Sequence, residues 1–189
     1  MPPKTKIKKE DIIDVTFEIV RKEGLESVHA RRIAKELGCS VQPIFSNFSN
    51  MNDLKQEVFQ KAFEKYMEYI TTHVEGENAY KSMGIKYIQL AKEEPKIFEM
   101  LFMTKSNLTF DHFMVDNESF GYIEKAMMKY DLINQEHIPS FHSKMWFFVH
   151  GIASLVANET CTFTDEEISR LLTEQFTALV LLEKYNKER

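Results

Sequence analysis

Two cysteines, Cys39 and Cys161, are all that this 189-residue chain carries. That excludes a disulfide framework, and no pair of them has zinc-ligand spacing. Free thiols in a reducing cytoplasm are the simplest account. No apolar run approaches the ~18 residues of a membrane-crossing helix. Met1 to Lys9 is basic but leads straight into Glu10-Asp11, so a signal peptide is not expected. Strand alternation, internal repeats and low-complexity tracts are missing. So are a glycine-rich phosphate loop and any Ser/His/Asp or Cys/His constellation, which leaves an enzyme without support. His142 and His150 stand eight residues apart, roughly on one helix face, with no third ligand in view. Buried, hydrogen-bonded histidines are the better account, and neither metal nor cofactor is expected.

What is present is apolar periodicity. Hydrophobic residues make up 43% of the chain and aromatics 12%, which suits a globular protein. Ala30, Ile33, Ala34 and Leu37 fall at helical spacing, and Val41, Ile44, Phe45 and Phe48 repeat it. Gly38 stands where the first of these helices must stop. Ser40 is expected to cap the second, and Pro43 falls in its first turn, where a missing N–H costs nothing. Two helices joined by a glycine-containing turn form a helix-turn-helix, which lays its second helix in the DNA major groove. An ordinary helical hairpin inside an all-α core would show the same spacing. Upstream, Ile13, Phe17, Val20 and Gly24 predict a covering helix. Downstream, Asn50 and Asp53 suit the N-cap and N3 positions of a long fourth helix.

The remainder also reads as helix. Residues 75–78 form a break. A helix over Ala79–Glu94 stops before Pro95, which opens the next through Met103. Asp116 is expected to cap a helix to Tyr130, and residues 134–139 break again. Ser140–Asn158 is apolar on nearly all sides. Thr164 and Glu167 make a capping box for a last helix to about Tyr185. The fold class is therefore all-α, with about nine helices: a three-helix DNA-binding domain at 1–50 and a helical domain at 51–189.

The charge is uneven along the chain. Residues 1–55 hold ten Lys/Arg against eight Asp/Glu, a net +2, while the rest holds 14 against 21, a net −7. The acidic balance thus sits away from the proposed DNA face. The four lysines of the first nine residues could lie along phosphates or form a merely solvated tail.

The order of elements resembles that of the TetR/AcrR family of bacterial transcriptional regulators. The resemblance rests on Gly24-Leu25, Val28, Arg32-Ile33-Ala34, Leu37-Gly38-Cys39-Ser40, Ile44-Phe45, Phe48, Asn50 and Leu54, with a weaker match at Trp146-Phe147-Phe148-Val149-His150-Gly151. It implies a cytoplasmic, dimeric repressor of a double-stranded DNA operator, released by a small molecule. An all-α ligand-binding or scaffold protein that has lost DNA recognition is the alternative. By resemblance, Arg31 approaches the duplex from the first motif helix. Ser40, Val41, Gln42, Pro43, Phe45, Ser46 and Asn47 present the second, and Lys55 stands one turn into the fourth helix. Three positions depart from the usual pattern: Phe45 stands for Tyr, Asn47 for His and Met51 for Lys, which puts phosphate contacts in doubt.

The middle of the chain is dense in Phe and Met, including Met100, Phe110, Phe113, Met114 and Met128. Such side chains adapt to ligands of varied shape. Tyr66, Met83, Tyr87, Phe98, Phe102, Phe120, Met127, Phe141 and Met145 are the candidate lining of an effector pocket for an apolar or aromatic compound. The last two helices carry more apolar surface than one face needs: Phe141, Met145, Phe148, Val149, Ile152, Leu155 and Val156, then Ile168, Leu171, Leu172, Phe176, Leu179 and Leu182. Glu166, Arg170, Glu174 and Glu183 mark the far side of the last one. Together they are expected to form a homodimer interface by two-fold packing.

Overall fold

A computed structural model of the chain describes residues 7–74, 78–104, 118–128 and 133–188. Among them every regular element is helical, and nine are α-helices. These are α1 (Lys9–Glu23), α2 (Ala30–Glu36), α3 (Gln42–Asn47), α4 (Met51–Thr71), α5 (Ala79–Glu93), α6 (Pro95–Phe98), α7 (Glu118–Met128), α8 (Ile138–Ala157) and α9 (Asp165–Lys187). Helix α6 continues as a π-type turn over Glu99–Met103. No described helix is long and apolar enough to cross a membrane. The expected cap at Asp116, the expected helix end at Tyr130, residues 75–77 of the expected break, Lys4 and Lys6 of the basic arm, and Phe110, Phe113 and Met114 lie outside the described residues.

The chain divides into two compact units. The first runs to Tyr66 and takes in Glu94–Thr104; the second comprises Met67–Glu93 and the chain beyond Thr104. The first unit closes around Ile12, Ile19, Val20, Ile33, Ile44, Phe48, Leu54, Val58, Ala62, Ile97 of α6, and Met100 and Leu101 of the π-type turn. Arg21 of α1 grips Glu94 at the start of α6 with its Nε 2.8 Å from both carboxylate oxygens.

The buried face of α1 is only partly the expected one: Val20 and Gly24 are buried as read, but Ile13 and Phe17 are not. Ile12, Thr16, Ile19 and Val20 are buried, whereas Ile13 and Phe17 are only half-buried. Thr16 is what shifts the face, because its hydroxyl donates to the Ile12 carbonyl at 2.6 Å and carries no unmet polar group inward. The Phe17 ring is overlain by the ammonium groups of Lys61 and Lys65 at 5.8 and 5.7 Å.

Capping follows the sequence at the start of α4. The Asn50 side-chain oxygen accepts from the Asn52 and Asp53 N–H groups at 2.8 and 3.1 Å. It does not at α3, where Val41 already has helical angles and is the N-cap, so Ser40 lies one residue outside and caps nothing. Pro43 does fall in the first turn.

In the second unit α5 packs along α8, and α9 packs against both. Phe141, Met145, Val149 and Ile152 of α8 meet Ile168, Leu172, Leu179 and Val180 of α9 and Tyr80, Met83, Tyr87 and Ile88 of α5 in the core. Helix α8 begins at Ile138 rather than Ser140, with Pro139 inside its first turn, a position proline tolerates. Thr164 and Glu167 form the capping box of α9, with mutual bonds of 3.2 and 2.8 Å. Glu183, expected on the solvent side of α9, is buried at 6% exposure. It bonds Nδ1 of His137 at 2.7 Å, with Lys144 Nζ 3.8 Å away, so its charge is not left alone.

Candidate functional site

Helices α2 and α3 bury one side and present the other. Ile33, Ala34, Ile44 and Phe48 face the core. Gly38 makes the turn between the helices at φ +64°, a left-handed angle cheap only for glycine. On the outer side of α3 stand Val41, Gln42, Phe45, Ser46 and Asn47, with Pro43 half-buried among them. Phe45 corrects the sequence reading, because it belongs to the outer side at 51% exposure and not to the apolar stripe with Ile44. The six residues of α3 are enough to bury only Ile44.

Two side chains on α3 are partly committed. The Asn47 amide donates from Nδ2 to the Pro43 carbonyl at 2.8 Å, and the Ser46 hydroxyl donates to the Gln42 carbonyl at 2.9 Å. Arg31, on α2, is exposed. Its neighbour Arg32 is held by Glu23 and Glu36 at 2.6 Å each, hydrogen bonds that raise its pKa and tie its charge to the protein. His29 caps α2, its Nδ1 accepting from the Arg32 N–H at 3.2 Å. Sequence reasoning missed that cap, since Ser, Thr, Asp and Asn are the residues it seeks.

Lys55 and Met51 lie on the first turns of α4. Met51 is half-buried and packs against the first core. Lys55 is half-buried too and lines a cleft of about 260 Å³ with Leu25, Glu26, Lys96, Glu99, Met100 and Thr104, in which Glu99 pairs with Lys96 at 3.0 Å. Lys9, at the start of α1, pairs with Glu57 and overlies the Phe48 ring.

The nine residues expected to line an effector pocket divide between the units. Tyr66, Phe98 and Phe102 belong to the first unit, where Phe102 lies 5.1 Å from the Tyr66 ring and 5.2 Å from Phe98. Burial pushes the Tyr66 hydroxyl pKa up. Met83, Tyr87, Phe120, Met127, Phe141 and Met145 belong to the second, all buried except the half-buried Phe120. Two tyrosine–histidine pairs join α5 to α8 among them. The Tyr80 hydroxyl and His142 Nδ1 are 2.8 Å apart, and the Tyr87 hydroxyl and His150 Nδ1 2.9 Å. Phe120 lies edge-on to His142, and Trp146 stacks on His150 at 4.6 Å. Burial pushes His142 down to about 4 and lowers His150 as well, so both rings are neutral at pH 7. A cleft of about 120 Å³ opens beside Met83, lined by Thr71, Val74, Ala79, Tyr122, Lys125 and Ala126. Among the described residues no three His, Cys, Asp or Glu are grouped to hold a metal. Cys39 and Cys161 are both free.

The face expected between subunits also needs correction. Phe141, Met145, Val149 and Ile152 of α8, and Ile168, Leu172 and Leu179 of α9, are spent within the subunit. The exposed apolar surface of the same two helices keeps Leu155 and Leu182 of the expected set and adds residues that were not in it. On α9 it is Ala178, Leu181, Leu182 and Tyr185, a run at i, i+3, i+4 and i+7. On α8 it is Phe147, Gly151 and Leu155, at i, i+4 and i+8.

No family model matches the chain. Over 108 residues it is 25% identical to the HTH-type nicotine-responsive transcriptional repressor HdnoR of Paenarthrobacter nicotinovorans. That match covers 53% of this chain and 56% of the relative, so the chain spans about half the length of the curated relative it matches. Among solved structures, a TetR family protein from Vibrio parahaemolyticus superposes with a TM-score of 0.65 at 13% identity, covering 91% of this chain and 98% of that one. BioQ bound to its double-stranded DNA operator gives a TM-score of 0.46 at 15% identity, over 95% of this chain and 97% of that one.

Proposed function

We propose that this chain, whose fold is that of the TetR family regulators, is a sequence-specific DNA-binding transcriptional repressor acting in the cytoplasm as a homodimer. The observation that carries the reading is the split character of α3, which buries Ile44 and turns Gln42, Phe45, Ser46 and Asn47 outward on a glycine-hinged hairpin. Arg31 and Lys55 are the phosphate-facing cations of the reading, and Ser40, Val41 and Pro43 complete the surface. The repressor match over about half the relative's length points the same way.

The effector would be an apolar or aromatic small molecule held in the second unit among Met83, Tyr87, Phe120, Met127, Phe141 and Met145. The neutral Tyr–His pairs would supply its polar contacts, while Tyr66, Phe98 and Phe102 serve the first core. The similar repressor is nicotine-responsive by name. The two subunits would meet through α8 and α9. Such a ligand releases DNA only if it binds one separation of the two recognition helices better than another.

Selection of duplexes from a random library tests the reading. A repressor retains particular sequences and loses them steeply as salt rises, because each neutralised phosphate releases counterion. Retention of no duplex above random DNA would leave the alternative, an all-α ligand-binding protein without DNA recognition.

A further inference from the structure

The recognition helix α3 reads Gln-Pro-Ile-Phe-Ser-Asn and carries no charged side chain. The commonest specific contact to guanine is a cation bidentate to O6 and N7, and this helix has none to offer. What it turns outward forms two rows. Gln42 and Ser46 make a polar row that continues to Asn47. Val41, at 38% exposure, and Phe45, at 51%, make an apolar row four residues apart. Val41 is held in the helix by its carbonyl, which accepts from the Ile44 and Phe45 N–H groups at 3.2 and 3.4 Å, so the two side chains share a face. Their separation along the axis is about 6 Å, or about two base-pair steps. The apolar group on the floor of the major groove is the 5-methyl of thymine. The same A·T pair presents adenine N6 and N7, which suit the amides of Gln42 and Asn47.

We infer that α3 reads an A·T-rich half-site, with Val41 and Phe45 packing on thymine methyl groups. This rests on the DNA-binding reading above. The test is selection from a random duplex library with the full-length chain. Each selected duplex is then remade with uracil in place of thymine, which removes only the methyl groups, and binding is followed by fluorescence anisotropy at fixed salt. Burial of one methyl corresponds to about four-fold in affinity, hence about sixteen-fold for each of the two side chains over the two half-sites of a dimer, and about 250-fold for both together. Wild-type protein should lose that much on the uracil duplex, and Phe45→Ala should discriminate about sixteen-fold less, keeping the share that Val41 contributes. Phe45 is exposed, so the variant should fold, as an unchanged melting temperature would verify. Equal binding of the two forms by wild type would overturn the inference while leaving DNA recognition intact, as would full discrimination by a Phe45→Ala, Val41→Ala double variant. Failure to select any duplex would overturn the DNA-binding reading itself, and the inference with it.

Discussion

Asn47 already donates one amide N–H to the Pro43 carbonyl, so on the proposed reading its other N–H and its side-chain oxygen are what it could offer an adenine. That tether fixes the amide before DNA arrives, so less rotamer freedom is lost on contact. Asn47→Ala is expected to weaken binding to a selected duplex by about 1–3 kcal/mol while leaving random DNA nearly unaffected. Equal losses on both would show that Asn47 reads no sequence. The outward place of Phe45 followed from the family resemblance but not from periodicity, because an apolar residue at helical spacing looks the same whether its face meets a core or a partner. Ile44, Phe48, Ile33 and Ala34 were legible, since each lies on the side that must be buried for the hairpin to stand. His142 belongs to the same scale. Its folded pKa of about 4 lies below the ordinary 6.5, so the unfolded chain binds the proton more readily. Stability from the neutral ring is complete above pH 6.5 and is lost as pH falls towards 4, by roughly 3 kcal/mol in all. Below that both states are protonated and the slope ends. His150 adds a smaller loss in the same direction. Urea midpoints measured from pH 7 to 4 should fall, and His142→Gln should flatten most of the slope. A slope that persists in the variant would assign the effect to other groups.

At the scale of elements, α3, α4, α6 and α9 begin at short polar side chains or prolines, and glycine ends α1 and makes the turn after α2. Asn50, Thr164, Pro43 and Pro95 all act as the sequence suggests. Pro139 and Ser40 do not, because a proline reads equally as a break or as a first turn, and a serine one residue too early cannot reach the free N–H groups. The face of α1 was misread in part for a related reason: Thr16 counts as polar in any periodicity, yet its hydroxyl is satisfied by its own helix. The two glycines of the first unit differ in how much they are needed. Gly38 sits at φ +64°, a left-handed angle, with open space where a Cβ would project. Gly24 sits at φ +88° and ψ +170°, a region essentially closed to other residues, and a Cβ there would meet Lys96 Cδ at 3.4 Å. Gly38→Ala is expected to cost about 1 kcal/mol and Gly24→Ala about 2–3 kcal/mol in denaturant unfolding. A larger loss at Gly38 would mean that the turn, and not the exit from α1, is the tighter constraint on the motif.

At the scale of the whole molecule, the all-α class and the nine α-helices among the described residues could be read from periodicity and caps, but the use of the last two helices could not. Both carry apolar residues on more than one side, and only packing decides which side closes the subunit's own core. Of the residues expected at the interface, Leu179 proves to be core, 8% exposed, while Leu182 is 43% exposed and its neighbour Leu181, not among them, 60%. The two choices make the dimer testable in one experiment. Leu181→Glu with Leu182→Glu places charge on the outer stripe of α9, where the isolated subunit loses little. The pair should sediment at half the mass of the wild type with its helical content intact. Operator affinity should then drop by about 10²-fold or more, since two linked half-site contacts become two separate ones. Leu179→Glu buries a carboxylate in the subunit and should instead lower the melting temperature of whatever species forms. If the outer double variant still sediments as a dimer and holds its operator, the subunits meet through another surface, and the exposed row of Ala178, Leu181, Leu182 and Tyr185 serves some other contact. If both variants simply unfold, α9 is needed within each subunit on both of its faces, and the two-fold packing of α8 and α9 is wrong.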